Sequence, residues 1–177
     1  MKYTYIFADR LLAFHYDGNE IDEFQRIFDC WNDPEFLHDF FVENEADLKS
    51  GFFGDISIVT AASRTRDEAR RFENKIRELS TDPNKSLDQL FKPLSVNGER
   101  VFERSKAYGT RNDSWLRIYA LKIQPECYIV TGGAIKLTQR MDAQEHTRIE
   151  LRKLERCRDF LRELGITDIE GFKEIDL

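Results

Sequence analysis

The chain has 177 residues, 41% of them apolar and 14 of them phenylalanine, with 27 basic against 33 acidic side chains and a net charge of −6. That length and apolar content suit one soluble domain with a sizeable core and argue against a disordered chain. No apolar run reaches the roughly 20 residues of a membrane span, and the start Met-Lys-Tyr-Thr-Tyr-Ile-Phe meets Asp9 and Arg10 at once, leaving no signal-peptide core.

A cytoplasmic protein is therefore expected. Its three cysteines, Cys30, Cys127 and Cys157, are odd in number and lack CxxC spacing, which suits reduced thiols. His15, His38 and His146 are scattered without an HxxxH or HExxH pattern, so neither a metal site nor a cofactor is expected.

Residues 3–7 and 11–16 read as two short strands, or one bent strand, rich in aromatic and branched side chains and stopped by Asp17-Gly18-Asn19. From Glu20 the period becomes helical, with Ile21, Phe24, Ile27, Phe28 and Trp31 on one stripe. Asn32-Asp33-Pro34 ends that helix and starts the next, Asp33 as N-cap and Pro34 at the first helical position. Phe36, Leu37, Phe40 and Phe41 continue the apolar face, and Phe52 and Phe53 mark a loop tucked over the core.

Residues 58–79 predict a long helix, with Ile58, Ala61, Ala62, Thr65, Ala69, Phe72, Ile76 and Leu79 inward. Residues 80–84 break it and are the best linker in the chain, although short. Leu87, Leu90, Phe91 and Leu94 suggest a helical turn ending at Pro93, followed by a turn at Val96-Asn97-Gly98. Three strands are expected over residues 100–108, 115–123 and 127–137, paired antiparallel in order because the connections are short. Gly132-Gly133 marks a bulge or a close backbone approach. Asp142 would cap a closing helix over residues 143–164, stopped by Gly165, and the tail from Ile166 is acidic and weakly patterned.

The sum is an α+β domain spanning 1–177: an N-terminal strand or hairpin, two to three helices, a three-stranded antiparallel meander and one closing helix. Charge is unevenly spread along it. Residues 1–50 hold 4 basic and 12 acidic side chains, whereas residues 100–140 hold 8 basic and 3 acidic ones. A basic meander on an acidic chain points to a polyanion partner, or else to ion pairs with the chain's own carboxylates. Alternation places Trp115, Arg117, Tyr119, Leu121 and Ile123 on one side of their strand, and Lys136, Thr138 and Arg140 on one side of theirs. Such a face can bind phosphates and stack bases. It can also cleave a phosphodiester, with Arg or Lys stabilising transition-state charge and Tyr or Lys moving a proton.

Four segments carry a family likeness: Phe91-Lys92-Pro93-Leu94, Val101-Phe102-Glu103-Arg104, Leu116-Arg117-Ile118-Tyr119 and Ile135-Lys136-Leu137-Thr138-Gln139. In order and spacing they resemble the phage-related branch of the RelE/HigB-like toxins over residues 88–160. The resemblance implies a small twisted antiparallel sheet flanked by helices, with a RelE-like core over residues 88–164. It also implies the toxin of a type II toxin–antitoxin pair, a ribosome-dependent mRNA endonuclease whose partners are an antitoxin protein and mRNA on the ribosome. Carried over by position, Arg104, Arg117, Lys136 and Tyr119 would be catalytic, and Lys106, Arg111, Gln139 and Arg140 would bind RNA. The chain differs from such toxins in being long and acidic and in lacking a Tyr or His directly after the last helix. Two other readings are carried forward: a non-catalytic RelE-like module binding protein or RNA, and a structural or interaction domain whose basic residues serve internal ion pairs. The acidic segment 1–50 would be free to cover the basic face within the chain or across a homodimer.

Overall fold

In the computed structural model, residues 1–50, 52–95, 102–138 and 144–175 are described. Strands β1 (Lys2–Phe7) and β2 (Leu11–His15) form an antiparallel hairpin, turned at Ala8 with φ of 45°. Helices α1 (Glu23–Asn32) and α2 (Pro34–Glu43) follow, then one turn, α3 (Glu45–Leu48). The α1 helix starts at its cap rather than at Glu20, because the Asp22 carboxylate accepts the Gln25 N–H at 3.0 Å. The Asp33 carboxylate accepts from Glu35 and Phe36, so one residue ends α1 and begins α2, with Pro34 where its missing N–H leaves nothing unpaired. Helix α4 (Ile58–Thr81) is capped by Ser57 and buries Ala61, Thr65, Ala69, Phe72, Ile76 and Leu79.

The segment 80–85 is not a free linker. The Arg10 guanidinium donates to the carbonyls of Ser80, Asp82 and Lys85 and to the Glu126 carboxylate, at 2.7–3.3 Å. Residues 87–93 also depart from expectation. A single 3₁₀ turn (Leu87–Gln89) is followed by an edge strand, β3 (Phe91–Pro93), rather than by helix. Apolar residues so closely spaced fit either form. The strand is selected by pairing with the next strand and by Phe91 stacking on Tyr128 with ring centroids 4.5 Å apart, and Pro93 is tolerated because the edge needs no N–H there.

Strands β4 (Glu103–Tyr108), β5 (Leu116–Gln124) and β6 (Cys127–Ile135) make the expected antiparallel meander. The sheet around them is larger than expected and mixed: six strands in the order β1-β2-β6-β5-β4-β3, with β2 and β6 parallel. A purely antiparallel small sheet is thus corrected. After β2 the chain crosses one face of the sheet as α1–α4 before it returns, so β6 enters beside β2 in the same direction. The acidic N-terminal segment is therefore part of the sheet and of the layer packed on it. Leu11, Leu12, Ala13 and Phe14 are all fully buried, as expected for a strand covered on both faces.

Two cores follow from this. One face packs Leu11, Ile118, Ala120 and Val130 against Phe28, Trp31, Phe41 and Phe72 of α1, α2 and α4. The other packs Leu12, Phe14, Leu121 and Ile129 against Leu154, Cys157 and Leu161 of α5 (Glu145–Glu163). Each fully buried large apolar side chain here contributes about 1.5–3 kcal/mol. A second closing helix, α6 (Ile169–Ile175), occupies the tail that shows little pattern in sequence. It is held by Phe172, whose ring meets Tyr3 edge-on at 4.8 Å and whose carbonyl accepts the Tyr3 hydroxyl at 2.7 Å. Residues 96–98, Arg100 and Asp142 lie outside the described residues.

Candidate nucleic-acid interface

Strand alternation decides which basic side chains meet. In β4, Ala107 belongs to the core under α1, α2 and α4, so Arg104, Lys106 and Tyr108 face the α5 side. In β5, Tyr119, Leu121 and Ile123 face that same side, and Arg117 with them. Trp115 does not share this face. It precedes β5 and lies in the opposite core against Phe41 and Phe53, with its indole N–H donating to Thr65. In β6, Ala134 faces α5, and Lys136, two residues on, continues that side just past the strand's end.

Register turns these parities into rows across the strands. Tyr108, Arg117 and Ala134 form one row, Lys106, Tyr119 and Gly132 the next, and Arg104, Leu121 and Ile129 a third. With strands about 4.8 Å apart, Lys106, Arg117 and Lys136 converge from three adjacent strands. Burial depresses the Lys136 ammonium below its ordinary pKa, and Arg117 and Lys106 push it in the same direction. Arg117 is likewise lowered by burial. Its guanidinium lies 4.1 Å from the centroid of the Tyr108 ring and donates to the carbonyls of Ser114 and Leu116, both at 2.7 Å. Lys106 Nζ is 5.4 Å from the same ring. Among the described residues, no carboxylate lies within ion-pair distance of Arg117 or Lys106.

Other expected site residues are placed differently. Arg104 is tied to Glu155 of α5 at 2.6 Å, and Arg111 to Asp113 at 3.0 Å in the β4–β5 loop. Lys122, a further member of the basic segment, is tied to Asp88 at 3.0 Å. Tyr119 is fully buried beneath α5, its ionisation is opposed by that burial, and its hydroxyl is not exposed to solvent. Gln139 and Arg140 lie outside the described residues. Among the described residues, no acidic side chain of residues 1–50 makes an ion pair with Arg104, Lys106 or Arg117.

Tyr108 is the residue that sequence reasoning missed. It is 41% exposed and brings a flat aromatic surface to the basic row. The period-2 run Arg104, Lys106, Tyr108 carries that signal. Glu68 of α4 was also missed: it is buried at the end of the β4–β5 hairpin, where it accepts the Arg111 N–H and crowds Gly109. No group of three or more His, Cys, Asp or Glu among the described residues is disposed to hold a metal ion. No protein-family model, curated protein or solved structure matches the chain.

Proposed function

We propose that the chain is a RelE/HigB-type toxin that cleaves single-stranded message, using the face formed by Lys106, Tyr108, Arg117 and Lys136. The observation that carries this reading is the convergence of Lys106, Arg117 and Lys136 from three strands beside an exposed aromatic ring. Arg117 and Lys106 would neutralise the phosphate as it gains charge, Arg117 being already oriented by two carbonyls and a ring. Lys136, its pKa lowered by burial and by Arg117 and Lys106, would take the proton from the 2′-hydroxyl in the fraction of molecules where it is deprotonated. The 2′-oxygen bonds to phosphorus, the bond to the 5′-oxygen breaks, and that oxygen leaves with a proton from the Tyr108 phenol or from water. In this reading the partners are an antitoxin protein and mRNA on the ribosome.

A second reading, an RNA-binding module without cleavage, is favoured by two observations, the Arg104–Glu155 ion pair and the burial of Tyr119, which thin the catalytic set. One experiment separates the two. Growth, translation and mRNA ends are followed after controlled expression of the wild type and of the Lys106→Ala/Arg117→Ala/Lys136→Ala variant, at matched soluble levels, and RNA binding by both purified proteins is measured at several salt concentrations. Translation arrest with new mRNA ends in the wild type alone supports the nuclease. Salt-dependent RNA binding with intact message supports the binding module, and neither effect rejects both.

A further inference from the structure

The parallel ladder of β2 with β6 stops at Val130, while β6 runs on to Ile135. Beyond that point a groove opens between α1, the start of α2 and the first half of α5. Its apolar half is a cavity of about 330 Å³ walled by Cys30, Trp31, Phe36, Phe40 and Ile149. It adjoins a second hollow of about 470 Å³ walled by Tyr16, Arg152 and Arg156, and the two share Arg26, Ile149 and Lys153.

The apolar half also contains one strand-edge peptide. Leu116 accepts the Gly109 N–H with its carbonyl, so its polar groups point toward β4. Ile135, opposite Leu116, therefore points its own away from β5, and its carbonyl meets His146 Nε2 at 2.8 Å. Gly133 lies two residues earlier with the same orientation and lines the cavity, so its N–H and C=O face the groove.

Charge separates the two halves. Glu23 is nearly fully buried and is held by Arg26 at 2.7 and 2.8 Å and by Lys153 at 3.1 Å, while Lys153 also reaches Glu150 at 3.0 Å. Those four groups balance one another. Arg152 and Arg156 stand one helical turn apart beyond them. Arg156 has no carboxylate within ion-pair distance among the described residues, and the contact of Arg152 with Glu145 is between two solvent-exposed side chains and is worth little.

We infer that the groove binds a small aromatic acid. One or two rings enter the apolar half, a ring N–H or similar donor meets the Gly133 carbonyl, and the acid group lies at Arg152 and Arg156. A concave, mainly apolar site with few convergent polar groups is how such ligands are held. The volume of the apolar half suits a two-ring body, and the paired arginines suit a carboxylate or sulfonate. The inference does not depend on the RNA reading, since none of Lys106, Tyr108 or Arg117 lines the groove.

Cys30 provides a local readout. It is half-buried in the cavity wall, whereas Cys127 and Cys157 are 1% and 0% exposed. The test measures anilinonaphthalene sulfonate fluorescence, its displacement by indole-3-acetate, and the rate of Cys30 alkylation by iodoacetamide in the native wild type. Saturable one-to-one binding, displacement by indole-3-acetate and slower Cys30 alkylation with either compound are expected. Charge reversal by Arg152→Glu with Arg156→Glu, at exposed positions, should weaken both ligands by about tenfold or more. Dye binding that leaves Cys30 alkylation unchanged, or that survives the charge reversal undiminished in a folded variant, overturns the inference. So does the absence of saturable binding.

Discussion

Arg117 and Tyr108 face each other across the β4–β5 ladder, with the guanidinium 4.1 Å from the ring centroid. The contact holds the cation over an aromatic ring that remains 41% exposed. Two carbonyl acceptors complete the hold. A guanidinium so placed offers its remaining N–H groups in a fixed direction.

Arg117→Ala should therefore weaken RNA binding and lower the slope of log affinity against log salt by about 0.7, the share of one phosphate contact on a single strand. Arg117→Lys should keep the slope near that of the wild type while losing affinity, because a lysine keeps the charge without the planar stacking. Tyr108→Ala should lose affinity with an unchanged slope. Fluorescence anisotropy with a labelled single-stranded RNA at several salt concentrations measures all three.

Lys136 makes the face sensitive to pH. Its pKa is lowered by burial and by Arg117 and Lys106, so the folded protein releases this proton at a lower pH than the unfolded chain does. As pH rises through that depressed value, a cation is lost and RNA affinity should fall. Lys106→Ala removes one repelling charge, moves the Lys136 pKa back toward its ordinary range, and should shift the fall in affinity to higher pH. The linked stability has the opposite sense: the charged form is disfavoured in the fold, so stability should rise with pH through the same window. RNA titrations from pH 7 to 10 in wild type and Lys106→Ala are the check.

Gly132 is required because Glu150 rests on it. A Cβ at that position would sit 1.7 Å from Glu150 Oε2 and 2.9 Å from its carboxyl carbon. Gly132→Ala should cost about 1–3 kcal/mol, and adding Glu150→Ala should recover part of the loss, a coupling readable in a double-mutant cycle by chemical denaturation. Burial also holds the Glu150 carboxyl above its ordinary pKa. The fold therefore binds this proton more tightly than the unfolded chain, and stability should decline as pH rises through the raised value. Glu150→Gln should flatten that decline.

Trp115 and Thr65 join the meander to α4. The indole N–H donates to Thr65 Oγ1 at 3.0 Å, and both residues are fully buried. Thr65→Val strands that N–H away from water and should cost about 1–3 kcal/mol in denaturant melts. Thr65→Ser, which keeps an acceptor, should cost less.

What the sequence determined by itself is local. The stripe of α4, the Asp33-Pro34 junction and the three meander strands each rest on a period or a cap contained within a few residues, and each is present in the structure. The Gly132-Gly133 signal was legible too, as a bulge near Thr131 and a close approach by Glu150 at Gly132. Tertiary structure decided what depends on distant partners. Phe91 became strand because Tyr128 and Ala107 lie beside it, and the tail became helix because Phe172 finds Tyr3. The parallel placement of β2 beside β6 follows from a crossover that no local period encodes. The same holds for the basic residues. Alternation could put Arg104 and Arg117 on a sheet face, but only the packing of α5 brought Glu155 to Arg104 and left Arg117 against Tyr108. A charge pattern in sequence counts cations. Which of them remain available to a ligand is set by the carboxylates and rings that folding carries to each one.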